Sequence, residues 1–468
     1  MKNRIVLALA VAVLMAAPAF AAVQNVKVSG DIDSTYLNRQ NFGLGNLVQK
    51  QETGLVQQSV FLTQTTLKVS ADLSDNVSTT VGLINERAWD TEHSSASDTN
   101  VQLYLAYATL REFLYSPLSV TVGRQIFNYG NGLIIGAGGV NNATTSGVGL
   151  AGVAVDLTKR TSYDGIKAVL DYKPLTVDLI YFKNNQRLLT GDQASTKSSS
   201  DVYGLNANYQ LGDAMNSVVE GYFFSRLNGS DNSSTPVDKG NKTYVPGLRV
   251  STNPVKGLNT QAEVAWQLGS QTVGSGTSSA SEKRRAMAFQ VMASYAVPTA
   301  SLEKYKPSVN ASFTHVSGDK NAGVNQITDS VKSTKYYTAW DPLFESQGSG
   351  TIYNTLFNLT NLNILTIGGQ MTPIQDVTAS FAWSKLTADR KYRGDNVLTL
   401  LQPDGSSVTP TTSGNKDIGN EYDVNVNYNY TEDVLFGVNL GWFVPGKTFK
   451  APNDKAASQA IAHVDVSF

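Results

Sequence analysis

A run of glycines is the first stretch whose spacing could support chemistry. Gly130, Gly132, Gly136, Gly138 and Gly139 follow a strand-like stretch, and the first three almost form a dinucleotide-binding motif. Such a motif holds a pyrophosphate only where its glycines open a helix within a βαβ unit of about 30 residues. The sequence that follows has no helical period, so no helix N-terminus is available for a phosphate. We therefore predict a glycine-rich loop and no nucleotide cofactor.

A histidine near the C-terminus could take part in acid–base chemistry. His463 and Asp465 are two residues apart and share one face of a strand. A base oriented by an acid is part of a hydrolytic triad, but triads are recognised by geometry, and spacing does not locate a serine partner. A hydrolase therefore stays open as an alternative. The ordinary role of a lone strand histidine is that of a polar wall residue, and we predict that the protein is not an enzyme.

The sequence gives no indication of a metal site. There are no cysteines, which excludes thiolate ligands and disulfides, and no HExxH pair points to zinc. The loop at 317–329 contains Asp319 and Asp329, but their spacing does not fit a calcium-binding EF-hand loop. We predict no metal and no cofactor.

The N-terminus predicts export from the cytoplasm. Lys2 and Arg4 precede an apolar stretch, and a small-x-small cleavage site ends at Ala21. We expect residues 1–21 to be a signal peptide and residues 22–468 to form a mature protein of one domain. Of the 37 basic residues the signal holds two, so the mature chain has 35 against 38 acidic residues. This balance is too even to indicate nucleic acid as a partner.

The elements that would position these side chains are strands, because apolar and polar residues alternate with a period of two along the mature chain. Near the C-terminus, for example, Tyr422, Val424 and Val426 alternate with Asp423 and Asn425. Short connections between such segments alternate with long connections rich in Ser, Thr, Gly, Asn and Asp. Eighteen segments begin near residues 26, 59, 76, 101, 117, 163, 175, 201, 216, 243, 257, 284, 307, 359, 375, 419, 433 and 457.

An even number of strands, with short turns at one end and long loops at the other, is typical of a membrane barrel. In lipid, every backbone N–H and C=O group needs a partner, and a closed barrel supplies them all. We therefore predict an all-β fold, a transmembrane antiparallel β-barrel of about 18 strands with short periplasmic turns and long extracellular loops. Its location would be the outer membrane of a Gram-negative-type bacterium, with outer-membrane lipid around it.

The placement of aromatic residues supports this prediction. Tryptophans at the far ends of odd-numbered strands and tyrosines near the far ends of even-numbered strands would form one girdle at each membrane interface. The chain also ends on Phe468 after an alternating strand, which resembles the signal that the outer-membrane assembly machinery reads. The girdles would contain Trp89, Trp266, Trp383 and Trp442 on one side and Tyr115, Tyr172, Tyr209, Tyr295, Tyr428 and Tyr430 on the other.

The strand faces opposite the apolar ones should line an aqueous channel, because side chains cannot fill so wide a barrel. Charges belong on these faces, since an Arg or Lys facing lipid costs about 2–4 kcal/mol at the membrane midplane. Both signs of charge occur, which suits a polar or weakly charged solute, such as a saccharide, better than a steep single-sign filter. The candidate pore-lining residues are Lys68, Asp72, Lys167, Asp171, Glu220, Arg226, Arg249, Glu263, Arg284, Glu421, Asp423, His463 and Asp465, with Lys27, Asp31, Asp33, Glu86 and Asp178 on the same faces.

Several motifs resemble the alginate export family of outer-membrane porins. They are VGRQIFNYGNGLIIG from residue 122, SYDGIKAVLDY at 162–172, SGDKN at 317–321, WDPLFE at 340–345, and GNEYDVNVNY with FVPG at 419–446. The resemblance implies an eighteen-stranded monomeric barrel that passes polysaccharide or small solutes. In alginate-secreting members an arginine-rich pore selects the solute, and Arg124 is the residue that best matches such an arginine. This chain differs from them in carrying many acids on its predicted wall.

Arg124 and the loop after it, residues 125–162, are predicted to form the narrow part of the pore. Strict alternation places Arg124 on the lipid face together with Val120 and Val122. A position in the pore therefore requires a bulge that shifts the register; otherwise Arg124 lies at the membrane interface and extends its charge to water. We expect the glycine-rich loop to fold inward and narrow the channel.

These features predict a porin-like channel that passes polar or charged small solutes or saccharides by passive diffusion, or that exports an anionic polysaccharide. Two alternatives remain. One is an outer-membrane hydrolase, and the other is a surface adhesin or structural barrel whose long loops bind a partner. Conductance in a planar bilayer separates the channel from both alternatives.

Overall fold

The computed structural model describes residues 24–45, 57–89, 101–137, 150, 153–184, 200–228, 241–273, 280–320, 336–347, 352–392 and 397–468. The predicted signal peptide lies outside the described residues, as do His93 and Asp329. Within the described ranges, eighteen strands of nine residues or more belong to one sheet. We number them β1 to β18 in chain order.

The strands cover most of the described chain, and the remaining elements are short. The strands are β1 (Gln24–Gln40), β2 (Gln57–Ser74), β3 (Val77–Ala88), β4 (Gln102–Leu110), β5 (Leu118–Ile126), β6 (Ser162–Asp171), β7 (Leu175–Asn184), β8 (Ser200–Gln210), β9 (Val218–Asn228), β10 (Lys242–Val255), β11 (Leu258–Val273), β12 (Ala280–Ala296), β13 (Ser308–Val316), β14 (Leu362–Ile374), β15 (Val377–Ala388), β16 (Asp417–Asn429), β17 (Val434–Pro445) and β18 (Ala457–Ser467). The shorter elements are the two-residue strands Tyr336–Tyr337, Leu400–Leu401 and Ser407–Val408, the 3-10 helices Val155–Leu157 and Ala300–Tyr305, and the helical turn Tyr353–Leu356.

The sheet closes on itself, because β1 pairs with both β2 and β18 and each barrel strand runs antiparallel to its neighbours. At the closing seam Ile32 lies opposite Val466, and Asp33 lies opposite Asp465. Closure gives the backbone groups of both sheet edges a partner. The predicted eighteen-stranded antiparallel barrel is confirmed, and each predicted strand start lies within four residues of the observed one.

Side chains alternate between an outward and an inward face of the wall, as the period of two predicts. On β1, Val28 and Ile32 are exposed on the outward face. Asp33 and Thr35 lie on the inward face, where the Thr35 hydroxyl donates a hydrogen bond to the Asp33 carboxylate at 2.8 Å. On β1 the exposed apolar side chains therefore face outward and the charged side chains face inward.

Aromatic side chains occupy the outward face at two heights. Trp266 and Trp442 are exposed, and each lies eight residues beyond the first residue of its strand, β11 and β17 respectively. At the other end of the barrel the hydroxyl groups of Tyr115 and Tyr172 are 3.2 Å apart. The two heights correspond to the two girdles that the sequence predicts.

Short connections lie at one end of the barrel and long connections at the other. Two residues join β10 to β11, whereas the connection from β5 to β6 covers residues 127–161 and that from β13 to β14 covers residues 317–361. Gly257 has a φ of +83°, which the two-residue turn between β10 and β11 requires. In the described part of the chain, no helix is both long enough and apolar enough to span a membrane.

The buried apolar core lies inside the barrel. Parts of the long connections fold into the interior, and we name three of them: the first inward loop (residues 127–137), the second inward loop (residues 153–161) and the third inward loop (residues 338–347 and 352–361). Leu133 and Phe344 of these loops are buried in the same cluster as Phe182 of β7 and Phe443 of β17. Along part of its circumference, the wall therefore packs against residues of the inward loops.

Candidate functional site

The first inward loop leaves the wall through a tight turn. Gly130 and Gly132 have φ values of +54° and +72°, the left-handed region that glycine tolerates best. The N–H of Gly132 donates to the carbonyl of Tyr129 at 3.0 Å, and the N–H of Tyr129 donates to the carbonyl of Ile135 at 3.0 Å. The glycines that nearly match a nucleotide-binding motif therefore allow the backbone to reverse its direction inside the barrel.

This loop reaches far across the interior. The Tyr129 hydroxyl donates to Asp178 Oδ2 of β7 at 3.1 Å. Asn131 Nδ2 is 3.4 Å from the sulfur of Met292 on β12, and Arg249 Nη2 of β10 donates to Asn131 Oδ1 at 3.3 Å. Since β12 lies seven strands from β5 in a ring of eighteen, the loop narrows the lumen. Burial and the nearby Asp178 carboxylate raise the pKa of Tyr129.

The third inward loop meets the first one in the middle of the barrel. The N–H of Ser346 donates to the carbonyl of Gly132 at 2.7 Å, and Gln347 Nε2 donates to the carbonyl of Asn131 at 3.0 Å. A Cβ atom at Gly132 would lie 2.8 Å from the Ser346 carbonyl oxygen. Glycine at this position allows the two backbones to approach each other closely.

Ion pairs with the wall hold the third inward loop. Asp341 accepts a hydrogen bond from Arg226 of β9, and Arg284 of β12 lies 3.3 Å from the same carboxylate. Gln267 Nε2 of β11 also donates to the carbonyl of Asp341 at 2.7 Å. Asp341 lies in the WDPLFE motif. Its carboxylate contacts β9 and β12 and its carbonyl contacts β11, so this one residue ties the loop to three strands of the wall.

At the other side of this loop, Glu421 of β16 accepts hydrogen bonds from two successive backbone groups. The N–H of Ile352 donates to Oε1 at 2.9 Å, and the N–H of Tyr353 donates to Oε2 at 2.7 Å. Asp423, two residues further along β16, is buried on the same inward face. The helical turn at 353–356 is thereby fixed to the wall.

The wall at β9–β11 carries a polar network around Arg249. Its guanidinium donates to Glu220 at 3.0 Å and to Gln261 at 2.8 Å. The hydroxyl of Tyr222 donates to Glu263 at 2.7 Å. Each of these charged groups lies at the height of the first inward loop, so the network and the loop together form the candidate constriction.

The second inward loop is held by charges on the opposite part of the wall. Lys159 Nζ lies 2.8 Å from Asp31 and 3.4 Å from Asp33, both on β1. The guanidinium of Arg160 lies 2.8 Å from Glu86 of β3. Burial lowers the pKa of Lys159, but the carboxylates beside it outweigh that effect and raise the pKa above its ordinary value. Lys159 therefore stays a cation that balances two wall carboxylates.

The other candidate residues also lie on the inward face. Lys68 of β2 is exposed there, and Lys167 of β6 forms an ion pair with Asp178 at 3.0 Å. A Cβ at Gly437 would lie 2.1 Å from the ring of His463, so the glycine leaves room for that side chain. Thirteen of the fourteen candidates follow the predicted alternation, and Asp72, Asp171 and Asp465 complete the inward set.

Arg124 is the exception, and its predicted position in the pore is wrong. Its neighbours of the same parity, Val122 and Ile126, are exposed on the outward face. Its guanidinium forms an ion pair with Asp164 of β6 at 2.6 Å, and the side chains of Arg124 and Asp164 are 40% and 63% exposed. The paired strands keep their register through Arg124, so no bulge turns it inward. Strict alternation along β5 turns the Arg124 side chain outward. This outward direction agrees with the alternative prediction, in which Arg124 lies at the membrane interface.

Several contributors to the interior have no sequence signal of their own. Tyr129, Lys159, Asp341 and Glu345 lie in irregular segments, where alternation gives no information about the direction of a side chain. The WDPLFE motif contains two of them and could have indicated a functional loop. Within the described ranges, no group of three or more His, Asp or Glu side chains could hold a metal ion.

Comparisons with known proteins agree with this architecture. A family model described as Alginate export matches residues 28–463. The crystal structure of OccK2 (OpdF) from Pseudomonas aeruginosa is similar with a TM-score of 0.56 at 12% identity, covering 95% of this chain and 99% of that one. OccK9 (OpdG) of the same organism has a TM-score of 0.55 at 13% identity, over 96% and 100% of the two chains.

A second structure of OccK2 (OpdF) is a complex with glucuronate, with a TM-score of 0.55 at 12% identity over 95% of this chain and 99% of that one. At these identities the likeness concerns the fold. A search of curated proteins gives no match.

Proposed function

The chain belongs to the alginate export family, and from this premise we propose that it is a passive channel for small polar or charged solutes, including saccharides and sugar acids. It is a porin-like β-barrel of the outer membrane, and its family consists of channels rather than enzymes. The observation that carries the proposal is the closed barrel with a polar inward face, narrowed by the first and third inward loops.

The narrowing favours small solutes. The first and third inward loops are joined by backbone hydrogen bonds, including that from Ser346 to Gly132 at 2.7 Å. Each loop is also fixed to the wall, through Arg249 on one side and Glu421 on the other. A cargo that needed the full width of an eighteen-stranded barrel would have to displace both loops.

The charges of the interior favour a solute of low net charge. Arg249 is paired with Glu220, and Lys167 with Asp178, while Lys159 balances carboxylates of β1. Such pairs cancel most of each other's field at a distance. The wall therefore offers hydrogen-bonding groups of both kinds, which match the hydroxyl groups of a saccharide.

A sugar acid fits the same interior. Lys68 is exposed on the inward face and could attract a single carboxylate without a strong barrier to the sugar ring. The similarly folded OccK2 is known in complex with glucuronate. These two observations support sugar acids as members of the solute class.

Export of an anionic polysaccharide is the second candidate, and the match to the Alginate export model favours it. A polymer would have to pass the joined inward loops as an extended chain. The measurement that separates the two candidates is therefore the dependence of transport on chain length.

Three further proposals accompany the channel. Residues 1–21 act as the signal peptide, residues 22–468 form the single domain, and the protein works as a monomer. An adhesive role of the long loops is tested by deleting the connection at 317–357: loss of partner binding in a barrel that still conducts would favour it. Because this connection also contains the third inward loop, an increase in conductance is expected if that loop narrows the pore.

Liposome swelling with the purified protein tests the proposed function. We expect hexoses, uronates and amino acids to enter faster than into protein-free liposomes, and uronate oligomers to enter more slowly with each added unit. Uptake that did not depend on oligomer length would favour polysaccharide export instead. A purified, folded barrel that produced neither swelling nor conductance in a planar bilayer would contradict a channel of either kind.

A further inference from the structure

The outward face carries a group of four charged residues that neutralise each other, which we name the paired row. Arg124, Asp164, Lys183 and Asp201 lie next to each other in register on β5 to β8. Arg124 pairs with Asp164 at 2.6 Å, and Lys183 with Asp201 at 3.7 Å. The signs alternate along the row, so that its members need no other counter-ion.

A second group on the outward face contains only cations, and we name it the cationic patch. It consists of Lys242 of β10 and of Lys283 and Arg285 of β12, and all three side chains are exposed. Both lysines lie opposite Ser270 of β11, which places their Cα atoms about 10 Å apart, two strand spacings. In the part of the chain that the structure describes, none of the three has a carboxylate partner.

The cationic patch lies at the membrane interface. Trp266 of the aromatic girdle and a further aromatic residue, Tyr244, are on the same outward face, each on the short-turn side of the patch. Trp266 lies opposite Met287, which is two residues from Arg285. Aromatic girdles mark the depth at which the hydrocarbon ends and the head groups begin. The three cations are thus at the height of the head groups on the long-loop side of the barrel.

Arg285 is held in place by an aromatic platform. Its guanidinium lies 4.1 Å from the centre of the Tyr336 ring. The backbone of Tyr336 pairs in parallel with Lys283, which fixes the platform to the barrel wall. A guanidinium that stacks by its face keeps its N–H groups at the edge of the plane, where they can donate to an anion.

We propose that the cationic patch binds a phosphate group of a glycolipid in the outer leaflet, that is, of lipopolysaccharide. Three like charges on the two strands that flank β11 repel each other, and an anion between them removes this cost. Arg and Lys are the side chains that bind phosphate. The patch faces away from the channel at head-group depth, so its anion belongs to the surrounding lipid and not to the transported solute.

Native mass spectrometry of the purified barrel, titrated with bis-phosphorylated lipid A in detergent, tests this proposal. The variant K242Q/K283Q/R285Q should bind lipid A about a hundredfold more weakly than the unaltered protein. The reason is that it lacks the attraction of three basic residues to an anionic membrane surface. Lys283→Gln alone leaves the Arg285 stacking contact in place and should weaken binding roughly fivefold. The matched control R124Q/K183Q/K385Q removes three outward cations that have carboxylate partners, and its affinity should be unchanged.

The triple variant must retain conductance in bilayers without lipid A, which shows that the barrel is folded and keeps this test separate from the channel function. Equal affinity of the triple variant and the control would overturn the proposal. So would unchanged binding of lipid A whose phosphates have been removed, or displacement of lipid A by an equal concentration of phosphatidylglycerol.

Discussion

Ile135 and Phe344 form a parallel backbone bridge inside the barrel, although they come from the connections after β5 and after β13. The N–H of Phe344 donates to the carbonyl of Ile134 at 3.0 Å, and the N–H of Gly136 donates to the carbonyl of Phe344 at 2.8 Å. The bridge joins the first and third inward loops into one structure. The width of the channel therefore depends on contacts between two loops as well as on each loop.

Separating the two loops should widen the channel. Gly132→Ala places a methyl group against the Ser346 carbonyl, and a left-handed conformation costs an alanine roughly 1–2 kcal/mol. We expect a higher single-channel conductance in planar bilayers. Gly221→Ala is the matched control, because an added Cβ there meets no atom within 4 Å. Equal conductance of the two variants would show that the bridged loops do not limit the current.

The barrel could be predicted from the sequence because a strand in a wall has only two directions for its side chains. The same parity that places Asp33 and Glu220 inside also places Arg124 outside. The family resemblance favours a pore position for Arg124 against its parity, and the structure shows that alternation is the stronger physical constraint along an unbroken strand.

The inward loops themselves could be predicted only in part. Glycine-rich sequence after β5 indicated a loop that turns inward, but not its partners. Ile135 forms a backbone bridge with Phe344, and the Thr355 hydroxyl donates a hydrogen bond to Asp156 at 2.9 Å. The two members of each pair are far apart in the sequence. Contacts between irregular segments depend on the closed wall that brings them together, and no local pattern encodes them. The sequence therefore predicts the wall carboxylates more completely than the loop residues that they bind.

Two arginines provide a test of which face controls ion selectivity. Arg249→Ala leaves the buried Glu220 without its guanidinium, a change that costs about 3–5 kcal/mol for a buried pair. It makes the interior more negative, so the reversal potential in a KCl gradient should shift toward cation preference. Arg124→Ala removes a charge on the outward face and should leave both conductance and reversal potential unchanged. Shifts of similar size in the two variants would contradict this placement of the arginines.

The third inward loop should be sensitive to pH through Glu345. Burial raises the pKa of this carboxyl from its ordinary value of 4.5 to about 7. Between these values the detached loop loses the proton while the packed loop keeps it, so the packed arrangement loses stability as the pH rises from about 4.5 to about 7.

We therefore expect larger current fluctuations at pH 8 than at pH 5. Glu345→Gln cannot ionise and should remove most of this difference. Glu303→Gln, in the exposed 3-10 helix between β12 and β13, is the control that should keep it. A pH response that persisted in Glu345→Gln would assign the effect to another group.

Glu421 should determine whether the third inward loop stays on the wall. Its carboxylate accepts the N–H groups of Ile352 and Tyr353 in a buried site, and a buried donor left without an acceptor costs about 1–3 kcal/mol. Glu421→Ala removes both acceptors, so we expect faster proteolytic cleavage within the loop and a higher conductance. Glu421→Gln keeps one acceptor oxygen, so its cleavage rate and conductance should lie between those of Glu421→Ala and the unaltered protein.

Glu432→Ala is the control, because it changes an exposed acid in the turn between β16 and β17. It should alter neither measurement, since that turn lies at the opposite end of the barrel. If Glu421→Ala were as resistant to protease as Glu432→Ala, the ion pairs of Asp341 would be sufficient to hold the loop.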